Sequence, residues 1–172
     1  LQSRLASSGA FALEVLLPYA VQALRSVGAL GSTPHLALSP SLLGISADAD
    51  GGPDLIVFGA GLNTLLPAYS PREKNTPYFG SPEFMAPELC GGKEASTQSD
   101  LYAVALVFYT LVTGKAPFKS SRASTTLKRQ IYEKPLPLKL VKPGVTGIAD
   151  FEAVLQRALE KEPGKRYEDA ST

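Results

Sequence analysis

The sequence predicts a mainly α-helical domain carrying one small β-hairpin. Two observations predict the helices. Apolar residues recur at helical spacing over Phe11–Leu30, Ser96–Thr113 and Ile148–Glu160, and the second stretch is apolar nearly all round, the mark of a helix at a domain centre. A third observation predicts the hairpin: two short apolar runs, Leu42–Ile45 and Leu55–Phe58, flank Ala47-Asp48-Ala49-Asp50-Gly51-Gly52, a strong turn signal.

In chain order, Leu1–Ser7 is a short apolar-polar segment. Phe11–Leu30 follows with Leu13, Leu16, Leu17, Ala20, Val21, Leu24 and Val27 in register. Pro18 marks either its true start or a kink. Gly31-Ser32-Thr33-Pro34 ends it, and the hairpin comes next. Residues 59–82 lack a period and contain Pro67, Pro71 and Pro77, which reads as a long exposed loop. A short helix is expected near Pro87–Cys90. The central helix ends at Gly114, with Pro117 close behind. Ala123–Glu133 reads as another helix, and Pro135, Pro137 and Pro143 as an irregular connector. In the last helix Phe151, Val154, Leu155, Ala158 and Leu159 share one face before Pro163-Gly164 stops it.

The 172 residues make one domain, with enough chain for a real core. Hydrophobic residues at 44% and charged residues at 19% are ordinary for a globular protein. A net charge of +1 argues against a nucleic-acid footprint, and no apolar run is long enough to span a membrane. Cys90 is the only cysteine, so intrachain disulfides and cysteine zinc sites are excluded. It reads as a partly buried filler rather than a reactive thiol. His35 is the only histidine, which excludes two-histidine chemistry. The chain opens on Leu1 and stops at what looks like a helix start, so it reads as a piece of a longer protein, expected to be intracellular and cytoplasmic.

Three motifs stand in order. His35-Leu36-Ala37-Leu38-Ser39-Pro40-Ser41-Leu42 has the spacing of H-R-D-L-x-x-x-N, Val57-Phe58-Gly59 has the form of D-F-G, and Ala86-Pro87-Glu88 is an intact A-P-E. Further pieces agree. Residues 80–88 follow G-T-P-x-Y-M-A-P-E, with Ser81 for the threonine. Ser99-Asp100-Leu101-Tyr102-Ala103 is similar to the start of a central helix, and Leu111–Phe118 to its L-x-T-G-x-x-P-F exit. Arg157–Arg166 is similar to C-L-x-x-D-P-x-x-R. The chain thus resembles the C-terminal lobe of a serine/threonine protein kinase over nearly its whole length (residues 1–172). By this resemblance residues 35–45 are the catalytic-loop region, 57–88 the metal loop and activation segment, and about 97–113 the central helix. No glycine-rich loop, strand lysine or partner glutamate precedes the match, so no N-terminal lobe is expected in this chain.

The resemblance implies a degenerate site. Ala37 stands at the catalytic-base position, Leu42 and Val57 at the two metal positions, Ser39 at that of a phosphate-contacting lysine, and Leu36 at that of an arginine reading the activation loop. Magnesium needs hard oxygen donors, and Ala37, Leu42 and Val57 offer none. Asp54 is expected to point away from the site by strand alternation. Asp48 and Asp50 are explained by the turn. Ser70-Pro71 and Thr76-Pro77 read as prolines in a flexible loop rather than as modification sites. His35 and Phe58, with Gly59 after them, resemble the lower part of the stack joining the two lobes, and His35 reads as a hydrogen-bonded core histidine rather than a catalytic one. Asp100 resembles the aspartate that holds the catalytic-loop backbone, and is equally explained as a first-turn acid. Glu88 and Arg166 resemble a buried ion pair clamping the activation segment.

Leu36, Ala37, Leu42 and Val57 make the former site apolar. Either they form an exposed patch that meets a partner, or they pack on one another and close the cleft. With Ser81 and Phe84, residues 36, 42 and 57 are the candidate interaction residues. The expectation is therefore a pseudokinase lobe, not an enzyme, without cofactor or metal, acting as a protein-interaction or scaffold module with a protein partner or neighbouring domains. A divergent or split serine/threonine kinase, and a purely architectural domain, are the alternatives.

Overall fold

The computed structural model describes residues 1–31, 34–35, 38–47, 53–59, 80–144 and 147–171. The expected class holds: the chain is mostly helical, with one two-stranded antiparallel sheet. Helix α1 is Gln2–Ser8 and α2 is Leu13–Gly28. A 3-10 turn at Pro40–Leu42 leads into β1 (Leu43–Ala47), which pairs with β2 (Pro53–Val57) in a register that sets Leu43 opposite Val57 and Ile45 opposite Leu55. A second 3-10 turn, Pro82–Phe84, precedes α3 (Pro87–Cys90). Then come α4 (Thr97–Thr113), α5 (Ala123–Tyr132), α6 (Leu138–Val141) and α7 (Ile148–Ala158), and a 3-10 turn at Pro163–Lys165.

Helix α4 is the axis of the domain. Every residue from Ser99 to Val112 is buried, as a helix apolar on all sides requires. Its N-terminus is closed by Ser99, whose Oγ accepts the Ser96 backbone N–H at 3.1 Å. Its C-terminus ends at Gly114, in the left-handed region at φ 82°, where the N–H donates to the Thr110 carbonyl. Tyr102, Leu106, Phe108 and Leu111 pack with Leu16 of α2, and with Phe118 and Leu138, all nearly inaccessible. Each such side chain contributes about 1.5–3 kcal/mol by leaving water. The hairpin is pinned to α2 by Gln22, whose Oε1 accepts the Leu55 N–H at 2.6 Å.

One element is added and two local expectations are corrected. Residues 2–8 are helical, because Leu1 and Leu5 find cover against the core. Helix α2 starts at Leu13, not at Pro18, and runs through it. Pro18 lies on the exposed side, so the bond its missing N–H would have made is not one the core depends on. The proline-rich connector contains the short helix α6, held by Glu152, whose Oε1 accepts the Leu138 N–H at 2.6 Å. Most of the long loop expected over 59–82, the hairpin turn at 48–52, and Leu36 and Ala37 lie outside the described residues.

Candidate functional site

The residues singled out by motif fall into three groups. The first surrounds His35, which is 1% exposed. Its backbone N–H donates to Asp100 Oδ2 at 2.5 Å, and its Nε2 lies 2.9 Å from the Phe58 carbonyl. A carbonyl only accepts, so Nε2 carries a hydrogen. Nδ1 is buried without a partner among the described residues. Asp100 sits in the first turn of α4 and is 2% exposed. One carboxylate and one imidazole thus tie the chain before β1, the chain after β2 and the central helix together. Gly59 makes the exit from β2 with φ 82°, a left-handed conformation that a β-carbon resists.

Around this brace the surface is apolar. Leu42 and Val57 are half-buried, Ile56 is exposed, and Phe58 is 51% exposed with its ring lying on Gly44. Val57 packs against the core, while Leu36 and Ala37 lie outside the described residues. The Phe58 N–H donates to the Leu42 carbonyl at 2.9 Å, so these residues are held side by side. Neither Leu42 nor Val57 offers a side-chain oxygen, so these two positions do not fit a magnesium ion. Among the described residues no group of three or more His, Cys, Asp or Glu comes together.

The second group is an ion pair. Arg166 Nη1 donates to Glu88 Oε1 at 2.7 Å and Nη2 to Oε2 at 2.8 Å, with the side chains 0% and 5% exposed. The other three donors of the guanidinium go to the Glu160, Gln98 and Lys161 carbonyls. All five N–H groups are therefore satisfied. Ser99 completes the carboxylate's shell by donating its hydroxyl to Glu88 Oε1 at 2.7 Å. Burial pushes the Glu88 carboxyl up, but the hydrogen bonds and charge of Arg166, with the Ser99 hydroxyl, outweigh it and hold the group below its ordinary value. The Arg166 guanidinium also stacks 4.7 Å from the Tyr102 ring centroid.

The third group is the loop around Ser81 and Phe84. Gly80 turns it at φ 89°, and the Phe84 N–H closes it on the Ser81 carbonyl at 3.0 Å. Phe84 is 8% exposed and anchors the loop in the core. Gln130 of α5 holds its other side, donating Nε2 to the Pro82 and Glu83 carbonyls at 3.2 and 2.9 Å. Lys119 pairs with Glu83 at 2.9 Å. The loop forms one wall of a cleft of about 590 Å³, whose lining includes Ser39, Ser41, Ser81, Glu83, Phe84 and Lys119. Ser39 is 7% exposed, and its hydroxyl lies 2.7 Å from that of Ser41.

The structure thus brings Ser39, Ser81 and Phe84 to one cleft and sets His35, Phe58 and Asp100 together beside it. Glu88 and Arg166 form a separate clamp. Ser99 and Tyr102 were quoted only within the 99–103 motif, with no role of their own, and Gln130 and Lys161 were not singled out by sequence. Lys161 lies inside the 157–166 motif. Gln130, a polar residue within a helix, gives no sequence signal that it is fully buried.

The family model of the protein kinase domain matches residues 61–170. Serine/threonine-protein kinase Pkn1 of Myxococcus xanthus is 32% identical over 152 residues, which is 88% of this chain and 22% of that protein. The probable serine/threonine-protein kinase PknB of Corynebacterium glutamicum is 29% identical over 164 residues, 93% of this chain and 24% of that protein. Serine/threonine-protein kinase pkn3 of Myxococcus xanthus is 37% identical over 87 residues, 51% of this chain and 16% of that protein. The chain spans about a quarter or less of the length of these curated relatives. No described helix is long and apolar enough to cross a membrane.

These matches correct the expectation that the chain is not an enzyme: the family match and the named kinase relatives point to a kinase. The physical reason is that phosphoryl transfer rests on positioning and electrostatic stabilisation spread over many groups. Alkyl side chains at three positions do not decide that question. On the match to more than half of its length, this chain belongs to the protein kinase domain family.

Proposed function

We propose that this chain is the C-terminal lobe of a divergent serine/threonine protein kinase and supplies its protein-recognition side. The observation that carries the reading is the complete satisfaction of the clamp. Glu88 and Arg166 are buried, and all five guanidinium donors are used. Breaking such a pair would leave an uncompensated buried charge, so it fixes the segment around 80–88 firmly. The cleft beside that segment is the right size for side chains of a polypeptide and has hydroxyl, acidic and basic groups on its walls. In this reading Ser81 and Phe84 shape the acceptor's seat, while His35 and Asp100 hold the former catalytic-loop backbone. Ala37, Ser39, Leu42 and Val57 are the degenerate positions. In this reading metal binding and proton handling fall to groups other than these four.

A second reading, a protein-interaction or scaffold module, is supported by a different observation. Ile56 and Phe58 are exposed on the hairpin face turned away from core-packed Val57, an apolar face that a partner or neighbouring domain could cover. The purely architectural alternative draws on the same face.

The experiment is phosphate transfer by the full-length protein. It is incubated with magnesium and γ-labelled ATP, alone and with casein as acceptor, and phosphoserine and phosphothreonine are read by mass spectrometry. The divergent-kinase reading expects label in the wild type and its loss in Arg166→Ala. A folded full-length protein that transfers nothing to itself or to casein contradicts that reading and turns the choice to the interaction module.

A further inference from the structure

A chain of hydrogen bonds leads from Lys161 to the loop at 81–84. Lys161 Nζ donates to the Tyr102 hydroxyl at 3.0 Å and to the Gln130 backbone carbonyl at 2.8 Å. The Tyr102 hydroxyl donates to Gln130 Oε1 at 2.8 Å, and Gln130 Nε2 donates to the Pro82 and Glu83 carbonyls. Tyr102 and Gln130 are both 0% exposed, so water does not compete for these bonds.

The donor inventory gives the chain a direction. A charged ammonium only donates. Tyr102 must therefore accept from Lys161 and send its own hydrogen to Gln130 Oε1. The Pro82 and Glu83 carbonyls only accept, so the Gln130 NH₂ turns to them and its Oε1 to Tyr102, the same direction that the ammonium imposes from the other end. A neutral amine would add a lone pair. It would keep two hydrogens for the same two acceptors, but the bonds to the Tyr102 hydroxyl and the Gln130 carbonyl would lose their charge assistance, and the Tyr102 hydrogen would gain a second acceptor in competition with Gln130 Oε1.

We infer that Lys161 is a positioning residue that, through Tyr102 and Gln130, holds the 81–84 loop in its acceptor-binding shape and releases it when its ammonium is deprotonated. The inference deepens the proposed protein-recognition role and rests on it for its functional meaning.

The surroundings of Lys161 bring that release into an accessible range. Burial first, and then the nearby Arg166 guanidinium, pull its ammonium down to about 8. Cys90 of α3, Glu133 after α5 and Glu160 after α7 act in the opposite direction. The Phe118 ring centroid, 4.1 Å from Nζ, and the Tyr102 ring at 5.4 Å favour the charged form too. Burial holds Tyr102 well above the ordinary phenol value, so it remains a hydroxyl throughout this range.

The test is amide hydrogen exchange by NMR, which needs no ligand. The reporter is the Phe84 amide, bonded to the Ser81 carbonyl, and the control is the Leu106 amide in the middle of α4. Rates are normalised to the intrinsic pH dependence of exchange. In the wild type Phe84 protection should fall about fivefold or more as pH passes through about 8, with Leu106 unmoved. Lys161→Arg, always charged, should abolish the step. Lys161→Met and Tyr102→Phe should lower Phe84 protection at every pH. Unchanged Phe84 protection in both of these variants, or a pH step that survives in Lys161→Arg, overturns the inference. Where Tyr102→Phe also loosens Leu106, the Lys161→Arg profile decides. Binding of a serine/threonine peptide array by the same proteins separates the two levels. A pH step in the loop without peptide binding overturns the recognition role and leaves the relay standing.

Discussion

Arg166 makes five hydrogen bonds inside the protein, two of them to Glu88. Arg166→Ala leaves a buried carboxylate and is expected to cost roughly 3–5 kcal/mol, read by urea denaturation. A loss below about 1 kcal/mol, the range of exposed pairs, would contradict the buried clamp. Arg166→Lys is expected to rescue little, since an ammonium cannot make the two parallel bonds. The same pair sets a pH dependence. The folded-state value of Glu88 lies below its ordinary 4.5, so its stabilisation is present above that value and is lost as pH falls through the folded value. Stability of the wild type should therefore fall more steeply below pH 4.5 than that of Glu88→Gln, by denaturation at stepped pH. Equal slopes would mean the carboxylate is not held low. At this scale the motif residues His35, Glu88, Asp100 and Arg166 were legible, because their spacing is carried by sequence order. The burial of Gln130 and its bond to Tyr102 were not, because they depend on two helices meeting that are separate in the chain.

Helix α4 organises the elements, and its termini are its weak points. Gly114 holds φ 82°, where a β-carbon is resisted, yet the space beside it is open, with Ala10 Cβ 3.8 Å from where that carbon would sit. Gly114→Ala should therefore cost about 1–2 kcal/mol from backbone strain alone, and Gly114→Asn less. Thermal or urea denaturation of both variants checks this, and an alanine variant as stable as wild type would contradict it. This stop was visible in sequence, as were the continuous apolar faces of α4 and α7. Helix α1 was not, since Gln2–Ser8 has no apolar repeat and gains its cover from tertiary contact. Helix α6 was hidden between prolines 137 and 143, where four residues are too few for a period. Pro18 misled in the other direction, because a proline on a solvent-facing turn removes a bond without breaking the packed face of α2.

The whole molecule joins two unlike surfaces. One is the exposed apolar face of Ile56 and Phe58 on the hairpin, opposite the core-packed side that carries Val57. The other is the cleft of mixed polar and apolar lining between the 39–41 segment and the 81–84 loop, braced from behind by Gln130. The family was legible in the sequence, because motif order and spacing survive the loss of individual side chains. The question of enzymatic function was not, because it turns on groups beyond the three positions read. The account's central claim is that the cleft seats a protein acceptor. Ser41 is exposed at its rim, so Ser41→Trp fills the cleft without touching the core. The decisive measurement is binding of a serine/threonine peptide array to wild type and Ser41→Trp at matched thermal stability. The account predicts peptides that bind the wild type and lose about tenfold or more in affinity, roughly 1.4 kcal/mol, in the variant. Equal binding to both proteins would contradict it.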